Sequence, residues 1–167
     1  GNTTLAEVLI CGQKHAMHLN TLGRHFAMNA LAALLAVQCI GADLAKALEA
    51  LETWRPGFGR GAREKIMFGD GAVDLIDDAY NANPASMRAA LDMISASSAP
   101  RRIAFLGDMK ELGANEVDQH RALAQWPALG SLDQIHTVGP LMRALHDALP
   151  HHTRGVHFTR SDEMAKA

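Results

Sequence analysis

Val73-Asp-Leu-Ile-Asp-Asp-Ala-Tyr-Asn-Ala-Asn-Pro-Ala-Ser-Met87 opens apolar and β-branched and closes polar. Val73, Leu75 and Ile76 read as a buried strand that delivers Asp77 and Asp78 to its carboxyl end. A helix is then expected at once. Asn83 is a favoured N-cap, and Pro84 suits the first helical position, where its missing N–H is not needed. Beyond the cap, Met87, Ala90, Leu91 and Ile94 recur at i, i+3, i+4 and i+7, which makes one apolar helical face. Tyr80, Asn81 and Asn83 fall between strand and helix. In an open parallel sheet the ligand crevice lies outside the carboxyl ends of the strands, where this polar loop would stand.

The same alternation continues downstream. Strands are expected near residues 72–78, 102–107, 134–139 and 155–159, and helices near 84–96, 115–125, 140–149 and from 161 onward. Such a pattern predicts an α/β layer structure on a parallel sheet with right-handed crossovers. Upstream, residues 4–11 and 16–22 are short extended candidates around the polar Gly12-Gln13-Lys14, as a hairpin or as two strands of a larger sheet. From His25 to about Cys39 the composition turns helical, with Met28, Leu31 and Leu35 on one stripe. A second helix follows Asp43 as N-cap and carries Leu44, Ala47, Leu48 and Leu51. Between these halves Trp54-Arg-Pro-Gly-Phe-Gly-Arg-Gly-Ala62 has no periodicity and four breakers, which marks a hinge or domain boundary.

The 167 residues are 48% hydrophobic and 20% charged, enough for a sizeable core. A net charge of -2 and a pI near 6.5 give no broad basic surface, and aromatics at 5% leave little for base stacking. Nucleic acid is not an expected partner. Cys11 and Cys39 lie outside any C-x-x-C, which suits reduced thiols in a cytoplasm, with one disulfide as the alternative. The longest apolar run, residues 27–40, is interrupted by Asn29 and Gln38 and is too short to span a bilayer. A beginning of G-N-T-T without Met reads as part of something longer.

Carboxylates at a strand end can accept hydrogen bonds from a ribose or hold a cation, so Asp77 and Asp78 are candidates. The structural alternative is that they cap nearby N–H groups. Tyr80, Asn81 and Asn83 offer uncharged donors and acceptors suited to a zwitterionic or amide substrate, although Asn83 is already claimed as a cap. Leu106-Gly-Asp-Met-Lys-Glu-Leu-Gly113 again delivers acids, Asp108 and Glu111, with glycines that let backbone approach a ligand. Arg60, between Gly59 and Gly61, could reach a phosphate bidentately or be a solvated linker arginine. His25 and Asn29, at i and i+4, share a face at a helix start that suits an anion or an adenine edge, or form a polar edge on a packed helix. The remaining histidines make no metal pattern and read as surface residues. No Lys precedes Ser or Thr, so there is no phosphate loop, and no nucleophile elbow is present.

Asp77 to Met87 and Leu106 to Gly113 together resemble the carboxy-terminal domain of the Mur ligase family. Gly23-Arg24-His25 with Asn29-Ala30-Leu31-Ala32-Ala33 resembles the helix that closes the family's central ATPase domain, and Gly59-Arg60 its interdomain arginine. The four pieces occur in family order and spacing. The resemblance implies a Rossmann-like parallel sheet with flanking helices over residues 58–167, preceded by a fragment of the central ATPase domain over residues 1–57. It also implies an ATP-dependent ligase, cytoplasmic, that phosphorylates the carboxylate of UDP-N-acetylmuramoyl-tripeptide; the amine of D-alanyl-D-alanine then attacks the acyl phosphate. Y-N-A-N-P separates this ligase from its siblings. Carried over by motif, His25 and Asn29 would meet the adenine side of ATP, Arg60 its phosphates as the catalytic arginine, and Asp78 its ribose. Tyr80, Asn81, Asn83 and the Asp108–Glu111 loop would place the dipeptide and the tetrahedral intermediate.

Departures from the family pattern are equally specific. The phosphate-loop lysine, the ligands for Mg2+ and a carbamylated lysine belong to domains expected before Gly1. Position 26, often Asn in the family, is Phe26, and the chain stops at Ala167 before an expected K-G-S-R element. The carboxy-terminal domain is therefore expected to be truncated, and the chain alone to be inactive. A folylpolyglutamate synthase-like ligase is the rival within the fold, and the pair Y-N-A-N-P and G-D-M-K-E-L-G argues against it. A phospho-receiver domain needs an Asp ending the third strand and a later Lys; here that strand ends Thr137-Val138-Gly139-Pro140, and only Lys166 follows Lys110. A mere packing module is the remaining alternative.

Overall fold

The computed structural model describes residues 3–167, which fall into two units, Gly1–Ile76 and Asp77–Ala167. In the first, β1 (Thr4–Ile10) pairs antiparallel with β2 (Gln13–Leu19), with Ile10 opposite Gln13. Cys11 (φ 49°) and Gly12 (φ 82°) make the two-residue turn. Two successive left-handed residues give the turn whose twist matches that of its strands. Of the two expected arrangements for these strands, the hairpin is the one formed.

Alternation along the hairpin turns Val8, Ile10, Met17 and Leu19 inward, onto Phe26, Ala30 and Leu34 of α1 (Arg24–Cys39). Helix α2 (Leu44–Thr53) starts where expected: the Asp43 carboxylate accepts the N–H groups of Ala45 at 3.0 Å and Lys46 at 3.1 Å. Its Leu44, Ala47, Leu48 and Leu51 pack on the same cluster.

After the irregular segment, β3 (Ala62–Phe68) and β4 (Gly71–Asp77) form a second two-stranded sheet across Gly69-Asp70. Strand β3 was not expected, because Arg63, Glu64 and Lys65 break any apolar alternation. The reading of Val73–Ile76 as buried is corrected here. Val73 is 52% and Leu75 43% exposed, and β4 pairs with β3 rather than joining a larger sheet. The physical reason is local: a two-residue turn offers β4 an immediate hairpin partner, and Asp74 between the two apolar residues makes the run alternating rather than continuously apolar.

The second unit is mixed α/β. Strands β5 (Ile103–Gly107), β6 (Gln134–Val138) and β7 (Arg154–Phe158) run parallel in that order. Helix α3 (Pro84–Ser95) precedes them; α4 (Glu116–Ala122), continued by short 3-10 turns, links β5 to β6; α5 (Arg143–Ala148) links β6 to β7; α6 (Ser161–Met164) follows. The fold-class expectation of a parallel sheet with flanking helices is met. Met87 and Leu91 of α3, Ala104 and Leu106 of β5, Leu123, Ile135, Met142 and Leu145 share one core. The alternate residues leave it: Phe105 is exposed and stacks on His136, centroids 4.9 Å apart at 12°.

Candidate functional site

At the carboxyl ends of β5, β6 and β7 a cleft of about 350 Å³ is lined by Gly107, Asp108, Lys110, Gly139, Arg160 and Asp162, among others. This is the edge where parallel sheets present ligand loops. Asp108 shapes it. One carboxylate oxygen accepts the Met142 N–H at 2.7 Å and the other the Leu141 N–H at 3.3 Å, so the acid leaving β5 caps the chain leaving β6. Gly139 (φ 106°) permits this, since a Cβ there would occupy the space of the Asp108 carboxylate. Each oxygen keeps a further lone pair for a ligand donor. Glu111 lies exposed at φ 61°, a left-handed non-glycine residue that turns the loop outward. Lys110 and Arg160 put two cations on the rim beside the acids; Arg160 pairs with Asp162 at 2.9 Å. Neither cation was singled out from sequence, because nothing local distinguishes a lysine in the loop or an arginine just before the last helix from a solvated one.

The loop before α3 carries the other candidates of this unit. The Asp77 carboxylate accepts the Ala79 N–H at 3.2 Å, the structural role allowed for it, and makes a further interaction, as do Asp78 and Tyr80. Asp78 is half-buried, and Tyr80 is exposed. The Asn81 amide oxygen accepts from Ala82 N–H at 2.9 Å. Asn83 caps α3 as expected, accepting from Ala85 and Ser86 N–H, both at 3.0 Å, while Ser86 Oγ accepts from the Asn83 N–H. Replacing Asn83 by Ala is expected to destabilise this unit by about 0.5–2 kcal/mol. Urea unfolding followed by Trp126, whose indole N–H donates to Asp92 of α3 at 2.7 Å, measures it; no shift of the midpoint would deny the cap.

In the first unit His25 and Asn29 lie on the first turns of α1, His25 half-buried and Asn29 exposed. Arg60 is exposed in the turn closed by Arg60 N–H to Gly57 O at 3.1 Å. The Phe26 ring lies next to both His25 and the residue after Arg60. A Cβ on Gly61 (φ 81°) would stand 2.9 Å from Cζ of Phe26, so only glycine lets the arginine turn lie against that ring. The His25 ring is 4.0 Å from Phe26, centroid to centroid, and Trp54 is 5.7 Å from it on the linker side.

The surface reading of the remaining histidines is corrected for His120 and holds for His18, His151 and His152, which are exposed. His120 is fully buried, and His136, His146 and His157 are half-buried. The signal for His120 was its place three residues before the apolar Leu123, which follows α4 and is itself fully buried. Burial, then Arg101, lowers the pKa of His136 below its ordinary 6.5; burial, then His157 and Arg154, lowers His146; burial, then Arg143, lowers His157. A lowered folded pKa means that the unfolded chain binds more protons in the window just below about 6.5, so stability is fully present above it and falls as pH drops through it. The unfolding midpoint of this unit is expected to fall between about pH 7.5 and about pH 5.5, and to fall less in H146Q. Equal slopes would remove His146 from the effect. Among the described residues no group of three or more His, Cys, Asp and Glu is placed to hold a metal ion. Cys11 and Cys39 are exposed free thiols, and among the described residues no helix is long and apolar enough to cross a membrane.

A parallel α/β unit with acid-bearing loops on its carboxyl edge is the architecture of a ligand-binding α/β domain. The chain belongs to the Mur ligase family: the family model described as "Mur ligase, glutamate ligase domain" matches residues 63–167. A relative from Bacillus subtilis, named UDP-N-acetylmuramoyl-tripeptide--D-alanyl-D-alanine ligase, is 32% identical over 95% of this chain and 35% of its own. One of the same name from Haemophilus influenzae is 36% identical over 86% of this chain and 30% of its own. A crystal structure of MurF from Acinetobacter baumannii is similar with a TM-score of 0.77 at 26% identity, over 99% of this chain and 35% of that one. The MurF ligase from Thermotoga maritima in complex with ADP shares the fold, with a TM-score of 0.78 at 20% identity over 99% of this chain and 36% of that one. The chain thus spans about a third of the length of the relatives it matches.

Proposed function

We propose that this chain carries the acceptor-facing loops, and part of the nucleotide-facing surface, of an ATP-dependent ligase that joins D-alanyl-D-alanine to UDP-N-acetylmuramoyl-tripeptide. In the reaction ATP transfers its γ-phosphoryl group to the tripeptide carboxylate and leaves as ADP. The dipeptide amine attacks the acyl carbon, the tetrahedral intermediate expels inorganic phosphate, and the amine gives up its proton as the amide forms. Such chemistry rests on positioning and on stabilising charge as it develops.

The observation that carries the reading is the cleft at the carboxyl edge. Its charges are mixed, with Lys110 and Arg160 beside Asp108 and Asp162, and a dipeptide is a zwitterion. Cations can hold its carboxylate and an acid its ammonium group. The relatives' shared name supports the choice of dipeptide. Asn81, Tyr80 and Asn83 would add uncharged contacts, Asp78 would meet the ribose, and His25, Asn29 and Arg60 would meet the adenine and phosphates of ATP. With no phosphate-loop sequence among its 167 residues, the chain by itself is expected to turn over no ATP.

The test is an amide NMR titration of the labelled chain with D-alanyl-D-alanine, then ATP. Shifts at Asn81, Asn83 and Asp108–Glu111 on adding dipeptide support the reading. A well-dispersed spectrum that stays silent, or shifts confined to the sheet's other edge, would overturn the placement of the acceptor.

A further inference from the structure

We propose that His120 is a positioning residue for the cleft: through the backbone of Met109 it holds the Asp108-Met109-Lys110 turn in place. The proposal rests on the acceptor reading above for its meaning in catalysis, and on geometry alone for the positioning itself.

The Met109 N–H donates to Nε2 of His120 at 2.9 Å. A backbone N–H can only donate, so Nε2 bears the lone pair and the proton sits on Nδ1. That proton points at the Glu116 carbonyl, 2.6 Å away and one turn back on α4. The imidazole is therefore a two-ended strut between the helix backbone and the loop backbone. Both Met109 and His120 are 0% exposed, so no water can substitute for the bond between them.

The strut acts where the cleft is made. Met109 follows Asp108, whose carboxylate caps Leu141 and Met142, and precedes Lys110 on the rim. The same helix holds the far end of the loop, where the Gln119 amide donates to Leu112 O at 3.4 Å. Lys110 and Glu111 thus project between two points of attachment to α4. A buried apolar side chain at position 120 would fill the space but leave the Met109 donor without an acceptor, and the turn would have to move to find one.

The test uses the 167-residue chain, ¹⁵N-labelled, as wild type, H120L and H120Q. Gln can place an amide oxygen where Nε2 stood; Leu cannot. The wild-type imidazole spectrum is expected to show the Nδ1–H tautomer. In H120L the amide proton of Met109 is expected to exchange roughly tenfold faster or more, with Leu141 and Met142 following, while Ile135 and Leu145 keep their protection. H120Q should restore Met109. Unchanged protection at Met109, Leu141 and Met142 in H120L would overturn the proposal, and so would a uniform loss across the unit, the mark of a residue that is only structural. Should H120L not fold, an Nε2–H tautomer in the wild type or an unprotected Met109 in H120Q would overturn it. Addition of D-alanyl-D-alanine separates the two readings. A wild-type chain with the tautomer and exchange pattern but no response at Lys110 and Glu111 refutes the acceptor site and upholds the strut.

Discussion

Replacing Phe26 by Ala is expected to cost the Gly1–Ile76 unit about 3–5 kcal/mol, the range for removing a buried aromatic from a core. Phe26 is 8% exposed and packs with Val8, Ile10, Met17 and Leu34. Its ring is also the surface on which Gly61 closes the Arg60 turn and against which the His25 ring rests. Loss of the ring therefore removes packing and leaves two candidate nucleotide contacts without their common support. Trp54, 5.7 Å from the ring, reports the transition in a W126F background under urea. A change below about 1 kcal/mol would mean that the site collapses without a cavity and that Phe26 is not the keystone of this cluster.

Asp108→Ala is expected to destabilise the Asp77–Ala167 unit by about 2–4 kcal/mol, because two backbone donors, one on the buried Met142, lose a charged acceptor. Asp108→Asn keeps one acceptor oxygen and turns an N–H₂ toward the other donor, so roughly half of that loss is expected. Urea midpoints followed by Trp126 fluorescence in a W54F background give both values. The order Ala worse than Asn worse than wild type is the expected result; equal midpoints would mean that the β6–α5 connection caps itself. The same substitution is expected to weaken the response to D-alanyl-D-alanine, since the turn that carries Lys110 and the chain from Gly139 to Met142 are joined through this carboxylate.

These two residues divide what can be read locally from what cannot. The caps at Asp43 and Asn83 were legible because the acceptor and the N–H groups it satisfies lie within three residues of each other. Of the strands, 103–107 was legible as a short apolar run, and 134–138 and 154–158 from β-branched or aromatic residues at alternate positions, Ile135 and Thr137, then Val156 and Phe158. Helix ends were less so: expected helices over 115–125 and 140–149 proved to be Glu116–Ala122 and Arg143–Ala148, with 3-10 turns around the first. Strand β3 was invisible, since its charged residues are tolerated only where a hairpin leaves them exposed.

Residue order within a few positions therefore carried the α/β class, the N-caps and the two motifs that mark the family. Partner choice across ten positions or more was a matter for the folded chain. Asp108 meets Leu141 and Met142 more than thirty residues on, Met109 meets His120 across the end of the loop, and Phe26 meets Gly61 through a turn that glycine alone can make. Propensities and capping act through neighbours in the chain, whereas a buried donor takes the acceptor that packing brings to it. That is why the acids of the candidate site could be found from their spacing, while the work each one does could not.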